Sequence, residues 1–358
     1  MNSLLCSLLI AQSLCISFGV HAQSRKSRMV EKGNSISFSR HRIEAPRSQS
    51  TVRILDFNGI SVFKNGTAII GGRIVSFRDE SGKKIPGSAL LIKIVDGKKT
   101  IRRLSLPSSI DEMGFQDTST GWILGRGQGI FKTTDSGENW VKFERSEHFQ
   151  GPVFFLDQTS GWFFGDGGHL EHIKNDQVEC LKSFNNFPYV KKMQFTSDEI
   201  GWIQDVAAGE ERFQRTRDGG KTWEKVKIHD DAAVDDFQFI SDIEGFAIAD
   251  QGLYSTNDGG DSWTLIKRQP KPEWFEKVFF LDRTTGWLVN GTSTCFTDDG
   301  GVSWNCAAIK QGEEVHLRKV VFGDRRNGWL LTEEGLYFTG DGGKTWQRFP
   351  IKVDNFNF

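Results

Sequence analysis

Five copies of one eight-residue pattern, T-x-D-x-G-x-x-W, constrain the fold of this chain more than any other feature. The copies are TTDSGENW (133 to 140), TRDGGKTW (216 to 223), TNDGGDSW (256 to 263), TDDGGVSW (297 to 304) and TGDGGKTW (339 to 346). Their tryptophans stand 83, 40, 41 and 42 residues apart. Because 83 is about twice the other spacings, we expect a degenerate copy near residue 180, with Cys180 or Leu181 in the tryptophan slot. Upstream, DGKKTI (96 to 101) puts Ile101 in the same slot, which makes seven units.

A second marker, a glycine followed by an aromatic residue, recurs about half a repeat ahead of each box. It reads TGW (120 to 122), SGW (160 to 162), IGW (200 to 202), EGF (244 to 246), TGW (285 to 287) and NGW (327 to 329), with NGTA (65 to 68) as a worn seventh copy. Repeats of about 40 to 45 residues are the signature of four-stranded propeller blades. We therefore predict an all-β fold, a single seven-bladed β-propeller with four-stranded antiparallel blades. Six or eight blades are the alternatives.

The boxes are interpreted as structural rather than as nucleotide sites. A phosphate-binding loop needs a glycine five residues before the one in its Gly-Lys pair, and Phe338 stands there ahead of Gly343. In a tight turn, the aspartate can instead accept hydrogen bonds from nearby backbone N–H groups, and the tryptophan can cover the hairpin. The residues predicted to act in this way are Asp135, Trp140, Asp218, Trp223, Asp258, Trp263, Asp299, Trp304, Asp341 and Trp346.

The repeated pattern resembles the Asp-box, or bacterial neuraminidase repeat. This repeat occurs in sialidases, sortilin-type receptors, some xyloglucanases and propellers like the photosystem II assembly factor. The resemblance covers roughly residues 55 to 358, and the F-x-x-x-x-x-G-W phrase before each box is most similar to the assembly-factor-like group. It implies an exported or lumenal protein that scaffolds other proteins, although fold alone does not determine function.

The N-terminus of the chain indicates export, and its balanced charge bears on the class of partner. Residues 1–22 read as a signal peptide, with an apolar stretch before the small-x-small site VHA, so we expect a periplasmic or secreted protein with no transmembrane segment after cleavage. Residues 23–54 form a basic leader, in which NSISFS (34 to 39) is a candidate for a strand that closes the ring, and 55–358 form the propeller. The 45 basic and 46 acidic side chains give a net charge of −1, which argues against a nucleic-acid partner.

Two cysteines lie symmetrically about one box turn. Cys295 and Cys306 lie at equal distances from the midpoint between Gly300 and Gly301, so they would face each other in a regular hairpin. We predict a disulfide, because export favours oxidation, with two buried thiols as the alternative. The scattered histidines and the absence of C-x-x-C give no metal site, and no cofactor is indicated.

The candidate partner surface lies on the rim opposite the boxes, where the loops between strands 2 and 3 and the blade junctions meet. Three features interrupt the repeat there: a charged loop at 78–89 with Lys83 and Lys84, an acidic junction, and a tryptophan that neither motif explains. The acidic junction contains Asp230, Asp231, Asp235 and Asp236, and the extra tryptophan is Trp274. Each has a simpler structural explanation, a solvated edge or a ring packed on its neighbour.

We therefore expect a non-catalytic binding scaffold, monomeric and specific for another protein, in the assembly or stability of an envelope complex. The alternative is a glycan-acting hydrolase, sialidase-like or xyloglucanase-like. A sialidase needs a tyrosine nucleophile, and Tyr254 and Tyr337 occupy one repeat position, which leaves Tyr189. The enzyme would require facing carboxylates in a deep pocket on the rim.

Overall fold

The computed structural model describes residues 54–351, apart from 75–76, 79–83, 86, 106–108, 126–127, 144–151, 166–167, 184–188, 208, 230–231, 251, 269–274 and 311–313. The predicted signal peptide and the leader up to residue 53 lie outside this part. Within it the chain forms strands, and none of its segments is a helix that could cross a bilayer.

Seven four-stranded antiparallel sheets form the blades, which confirms the predicted seven-bladed propeller. Blade 1 contains β1 Ile54–Val62, β2 Ala68–Ile74, β5 Ser88–Val95 and β6 Lys98–Arg103, with the small hairpin β3 Phe77–Arg78 and β4 Lys84–Ile85 inserted between β2 and β5. Blade 2 contains β7 Glu112–Phe115, β8 Gly121–Gly125, β9 Gly129–Thr133 and β10 Val141–Lys142. Blade 3 contains β11 Val153–Phe155, β12 Ser160–Phe164, β13 His169–Lys174 and β14 Gln177–Ser183.

The remaining blades repeat this order. Blade 4 contains β15 Tyr189–Phe195, β16 Gly201–Ala207, β17 Glu210–Thr216 and β18 Glu224–Lys225. Blade 5 contains β19 Val234–Phe239, β20 Gly245–Ala249, β21 Gly252–Thr256 and β22 Thr264–Arg268. Blade 6 contains β23 Lys277–Phe280, β24 Gly286–Val289, β25 Ser293–Thr297 and β26 Asn305–Ala308, and blade 7 contains β27 Leu317–Phe322, β28 Gly328–Thr332, β29 Gly335–Thr339 and β30 Gln347–Phe349.

The ring closes by contact between whole blades. The innermost strand of blade 7, β27, contacts β1 of blade 1. Each of these two blades takes its four strands from one continuous stretch of chain. The segment 34–39, predicted as a closing strand, lies outside the described residues, and the first and last blades have four strands without it.

The hydrophobic core is divided among the seams between neighbouring blades. Seven clusters of buried side chains each combine residues from two adjacent blades, including one that joins blade 7 to blade 1. A propeller of this kind therefore has no single central core. Each seam is stabilised by its own apolar burial.

Six of the seven blades, blades 2 to 7, carry a phenylalanine and a glycine six residues apart that organise the seams. The phenylalanine ends the inner strand, and the glycine, the first residue of the next strand or the second in blade 3, is its pairing partner in the sheet. These anchor phenylalanines and marker glycines are Phe115 and Gly121, Phe155 and Gly161, Phe195 and Gly201, Phe239 and Gly245, Phe280 and Gly286, and Phe322 and Gly328. A Cβ atom on any of these glycines would overlap the phenylalanine ring. The glycine is needed because the ring occupies the space of its side chain.

The aromatic residue that follows the glycine stacks on the anchor phenylalanine of the next blade. Ring centroids lie 3.4–4.1 Å apart, with nearly parallel planes, at five successive seams from blade 2 to blade 7. These five marker rings, Trp122, Trp162, Trp202, Phe246 and Trp287, are at most 4% exposed. The marker ring therefore joins two blades, while the glycine before it makes room within one.

The Asp-box turns have the hydrogen bonds expected of a structural turn. In all five boxes the threonine hydroxyl donates to the aspartate at 2.7–2.8 Å and accepts from a glycine N–H at 2.8–2.9 Å. The same carboxylate accepts the N–H four residues later. Bonds from Asn139 lower the pKa of Asp135 to about 2, and bonds from Ser303 do the same for Asp299.

The box tryptophans are less buried than the sequence suggested. Trp346, for example, is half-buried, whereas the marker Trp287 is fully buried. The box rings lie edge-on to the anchor phenylalanines, with centroids about 6 Å apart. They cover the seam from outside, and the marker rings fill it.

The two worn units keep the positions but use smaller side chains. In blade 3, Val178 packs in the seam with blade 2, the side on which the box tryptophans of the other blades pack, and it pairs with Ile173. Leu181 packs instead in the seam with blade 4, and Cys180 is exposed, so Val178 takes the tryptophan slot and neither of the two expected residues does. In blade 1, Ile101 packs in the corresponding cluster. The marker of blade 1 is also changed, because Val62 pairs with Ala68 where other blades pair Phe with Gly.

Cys295 and Cys306 are partners in the β25–β26 ladder and form a disulfide. The bond joins the third and fourth strands of blade 6 across the box turn, and Cys295 is fully buried. Its loop is short, so the entropic stabilisation from restricting the unfolded chain is at most about 3 kcal/mol.

The pairing of Val62 with Ala68 predicts how the anchor and marker positions are coupled. Gly201→Ala should destabilise blade 4 by about 1–3 kcal/mol, because the new methyl group overlaps Phe195. Phe195→Val should also destabilise, by loss of stacking with Trp162. The double variant should lose at least about 1 kcal/mol less of the free energy of unfolding than the sum of the two single losses, because it recreates the Val–Ala pair of blade 1. Denaturant unfolding of the four proteins gives this coupling, and strictly additive losses would contradict it.

The difference in burial predicts a difference between the two tryptophan classes. Trp287→Ala should reduce the free energy of unfolding by about 3–5 kcal/mol, because it leaves a cavity inside a seam. Trp346→Ala should cost about 1–3 kcal/mol, since its ring is half-buried. Thermal or urea melts of both variants test the order, and a larger loss at Trp346 would show that the box ring is the main support.

Candidate binding site at the channel mouth

The two faces of the ring are distinguished by their backbone contacts. On one face each box turn bonds to the loop between strands 1 and 2 of its own blade, as in Gly300 N–H to Thr284 O at 2.9 Å. The inner strands, which are the first strand of each blade, begin at the opposite face. The boxes therefore reinforce one face, and the start of the inner strands forms the mouth of the central channel on the other.

A β-bulge recurs at the start of the inner strands. In blades 1, 4, 5 and 7 the pairing register skips one residue, four positions before the end of the ladder: Asn58, Lys191, Asp235 and Arg318. In blades 2 and 6, Asp111 and Glu276 donate their N–H to Leu124 O and Val289 O. Leu124 and Val289 are already the ladder partners of the following residues, Glu112 and Lys277, so the same irregularity is present there. A bulge of this type re-aims side chains and occurs often beside functional sites. We call these six residues the outer charge ring.

The next residue in each of these strands forms a second layer, the inner charge ring. In blades 2, 4, 5, 6 and 7 it consists of Glu112, Lys192, Asp236, Lys277 and Lys319. All five line a central cavity of about 810 Å³, together with Asn58, Lys191 and Arg318 of the outer ring. The two rings together carry five basic and five acidic side chains.

Contacts within the rings join neighbouring blades. Lys192 Nζ lies 2.7 Å from Asp236 Oδ1, and the other oxygen of Asp236 accepts the N–H of Val278 at 3.0 Å. Arg318 donates to Asn58 Oδ1 at 2.9 Å across the closing seam. Lys191 pairs with Glu211. Basic and acidic side chains are therefore mixed around the mouth, although like charges are neighbours at Asp235 and Glu276 and at Lys277 and Lys319.

Glu112 is the most perturbed acid of the site. Desolvation by the surrounding protein raises its pKa to about 7, although the N–H of Val153, which it accepts at 2.7 Å, and the charge of Lys319 both oppose the shift. Desolvation also lowers the pKa of Lys319, and Glu112 opposes that shift in turn. The side chain of Lys319 is exposed, so water reaches it through the channel, and the lowering of its pKa is moderated.

The carboxylates of the site are bound to structural partners. Glu112 and Asp236 occupy equivalent positions and each accepts a backbone N–H from the following blade, at Val153 and Val278. No cluster of three potential metal ligands occurs in the described part of the chain. The arrangement suits charge-complementary binding, and these two carboxylates are held in place as supports between blades.

A serine, histidine and aspartate also meet outside the channel. Ser160 Oγ lies 2.8 Å from His172 Nε2 and donates to Asp198 Oδ1 at 2.6 Å. In a hydrolytic triad the aspartate would hold the other histidine nitrogen and the serine would face substrate. Here the serine is 2% exposed and its proton goes to the aspartate. The group joins blades 3 and 4.

The predicted partner residues have different outcomes. Trp274, Asp230, Asp231 and Lys83 lie outside the described residues. Lys84 lies in the β3–β4 hairpin, which pairs Arg78 with Lys84 in the inserted loop. Asp235 is exposed, but Asp236 is buried and paired with Lys192, so it is not available on an acidic surface.

The charge rings were missed because the sequence was compared by its boxes and markers. Counting back from each anchor phenylalanine finds them, since a charged residue stands three positions before Phe115, Phe195, Phe239, Phe280 and Phe322. Alternating burial of the inner strand would have put these positions on the channel side. The bulge, which turns the residue before them, has no local sequence signal of this kind.

Comparisons with known proteins identify similar propellers. The family model for photosynthesis system II assembly factor YCF48 matches residues 273–354. Photosystem II assembly lipoprotein Ycf48 of Synechococcus sp. (strain CC9902) is 22% identical over 206 residues, which are 55% of this chain and 62% of that protein. This chain thus spans less than two thirds of the length of that relative.

Two solved structures support the fold. YCF48 from Cyanidioschyzon merolae superposes with a TM-score of 0.58 at 16% identity, over 82% of this chain and 97% of that one. A structure described as YCF48 bound to D1 peptide gives 0.50 at 20% identity, over 66% and 79%. At these identities the likeness concerns the architecture.

The raised pKa of Glu112 predicts a pH-dependent stability. A carboxyl that holds its proton more tightly in the folded state costs stability as pH rises from its ordinary value near 4.5 through 7. Glu112→Gln, which can still accept the Val153 N–H, should therefore gain stability over the wild type between pH 5 and 8, by about 1–2 kcal/mol. Urea unfolding at several pH values measures this gain.

The matched control is Glu276→Gln, which removes an exposed carboxylate at the same mouth. Its stability difference from the wild type should change less over this range. A difference between Glu112→Gln and the wild type that stays constant from pH 5 to 8 would contradict the assigned shift.

Proposed function

We propose that this chain, a seven-bladed Asp-box propeller similar to the Ycf48-like proteins, is a non-catalytic scaffold that binds another protein during assembly of a complex. The observation that carries this proposal is the pair of charge rings at the channel mouth. Five basic and five acidic side chains belong to these rings, and the cavity of about 810 Å³ is lined by all five basic ones together with Glu112 and Asp236. Bulges at equivalent positions of several blades hold the outer charges at the rim.

The mixed charge favours a protein partner. A polyanion would be attracted by a surface of one positive sign, and a neutral glycan is bound mainly by aromatic platforms and neutral polar groups. A mouth that carries both signs is complementary to a partner surface that also carries both, and such complementarity gives specificity and steers association. The partner class inferred here is therefore a folded protein surface or a charged segment of one.

The relatives point to the same kind of role. Their descriptions name an assembly factor of photosystem II, a lipoprotein, and a complex with a D1 peptide. We infer by analogy that this chain assists assembly of a protein complex outside the cytoplasm. The export signal predicted at residues 1–22 agrees with that location.

Charge reversal at the mouth should weaken binding. A photo-crosslinking residue introduced at Asp235, which is exposed on the rim, should capture a discrete protein in the native envelope. Adding Lys191→Glu and Arg318→Glu should reduce the yield about tenfold or more, because like charges then face the partner. Raising the ionic strength should also reduce it, since the rim charges are screened.

Lys344→Glu provides the matched control, because Lys344 is an exposed lysine of a box turn on the other face. It should leave the cross-link yield unchanged. Equal yields from all variants would contradict binding at the mouth. The hydrolase alternative predicts release of sugars from sialosides or xyloglucan that Glu112→Gln or Asp236→Asn abolishes, and that result would replace the scaffold by an enzyme.

A further inference from the structure

The marker tryptophans follow a rule that involves the box of the next blade. Trp162, Trp202 and Trp287 each donate the indole N–H to a glycine carbonyl in the following box, at 2.8, 3.2 and 2.8 Å. The acceptors are Gly219, Gly259 and Gly342. Each of these three seams thus contains a buried donor and, directly opposite, a backbone carbonyl supplied by the neighbouring turn.

The other two marker tryptophans precede the worn units and lack this partner. The Nε1 of Trp122, ahead of blade 3, is buried without a hydrogen bond. Trp329, ahead of blade 1, makes ring contacts with Phe338 and Phe349 but no hydrogen bond to any described residue. Loss of a box in one unit therefore leaves a donor without its acceptor in the unit before it.

The two seams differ in what covers the orphaned donor. Above Trp122, the side chain of Lys132 lies 5.1 Å from the ring centroid and donates to Gln158 O. At the seam between blades 7 and 1 the box is replaced by the two-residue turn Asp96-Gly97, with φ of 49° and 73°. A Cβ on Gly97 would meet no atom within 4 Å, whereas one on Gly343 would lie 3.6 Å from the Trp287 ring.

The short turn leaves a cavity of about 430 Å³ at the seam between blades 7 and 1. Its apolar lining is provided by Trp329, Ile94, Phe338 and Phe349. Lys64 and Asp96, one of each charge, stand at the edge. The volume is within the range of small-ligand sites, about 300–1,000 Å³, and accommodates two or three residues of a peptide.

We propose that this cavity binds a peptide segment of another protein that presents a free backbone carbonyl beside an aromatic side chain. The three seams with an intact box are the template, since there the box of the next blade places a backbone carbonyl and a tryptophan ring beside the marker indole. The carbonyl would accept the Trp329 N–H, and the ring would pack on Phe338 and Phe349. Trp329 lines the cavity, and its Nε1 is not among the fully buried unbonded atoms, so the ligand carbonyl would replace water at this N–H and contribute one hydrogen bond to binding.

This site is independent of the proposed function. It lies on the face that carries the box turns, opposite the charge rings. Failure of either proposal leaves the other standing, because neither shares a residue with the other.

Two probes test the site on the full chain labelled with ¹⁵N. One is the peptide of residues 337–348, YFTGDGGKTWQR, which contains a complete box, and the other is N-acetyl-L-tryptophanamide. The chain has eleven tryptophans, and Trp329→Phe identifies which indole resonance belongs to this residue. That resonance should move downfield with either probe at about 5 mM, enough to occupy a millimolar site.

Two variants separate the hydrogen bond from a general effect on folding. Trp329→Phe should weaken binding of the probe about three- to tenfold, as expected for the loss of one hydrogen bond from the indole N–H. The affinity is measured at the backbone resonances of the turn at 96–97. Trp287→Phe should leave the affinity for the probe unchanged, because the indole N–H of Trp287 already donates to Gly342 O. If Trp329→Phe does not fold, Phe349→Ala replaces it and should weaken the probe by removing a half-buried wall.

The control peptide has Trp346→Ala, and it should bind at least fivefold more weakly if the aromatic ring is part of recognition. The proposal is overturned if neither probe moves the Trp329 resonance at this concentration. It is also overturned if Trp329→Phe or Phe349→Ala binds as well as the wild type, because the probe would then occupy another surface.

Discussion

Stacking of the marker ring on the anchor phenylalanine of the next blade, which occurs at five of the seven seams, is the interaction on which the rest of this structure depends. It places two aromatic rings about 3.5 Å apart in a fully buried seam, and aromatic burial of this size is among the largest contributions a side chain makes to stability. The marker glycine follows from it, because the anchor ring occupies the position of its side chain. The box follows as well, since its carbonyl bonds to the marker indole. Three sequence motifs thus describe one packing unit repeated around the ring.

The sequence predicted the blades well, because repeat spacing reports the unit that packs against its neighbours. It also placed Cys295 opposite Cys306, since hairpin symmetry is visible in the numbering. It was less informative about burial: Trp287 and Trp346 are the same residue type, yet which of them fills the seam depends on where the next blade lies. The binding surface was harder still, because Asp236 in an acidic run resembles a solvated edge until Lys192 of the previous blade is brought beside it. Long-range pairs of this kind leave no local pattern.

The two faces of the ring differ because their backbone groups are satisfied in different ways. Box turns satisfy their own backbone groups with threonine and aspartate side chains, so that face is rigid and nearly identical in five blades. At the opposite face a bulge in the inner strand leaves one residue outside the ladder in four blades, at Asn58, Lys191, Asp235 and Arg318. A residue that has no role in pairing is free to differ, and there the repeat carries Asn, Asp, Lys and Arg. Variation is therefore concentrated where it does not weaken the seams, which is where a scaffold can acquire specificity.

Blade 1 shows how the motifs depend on one another. It has lost the anchor phenylalanine, the marker glycine and the box together, with Val62, Ala68 and Ile101 in their places. Changing the glycine alone would have driven a methyl group into the ring, and changing the phenylalanine alone would have left a void, so the two replacements are compatible when they occur as a pair. The isoleucines and Leu331 of the closing cluster supply the apolar burial instead. Nothing in that exchange replaces a backbone carbonyl, since aliphatic side chains have no acceptor. The indole of Trp329 is consequently left without a box carbonyl, as is that of Trp122 before blade 3, and the seam that closes the ring is one of the two that remain chemically incomplete.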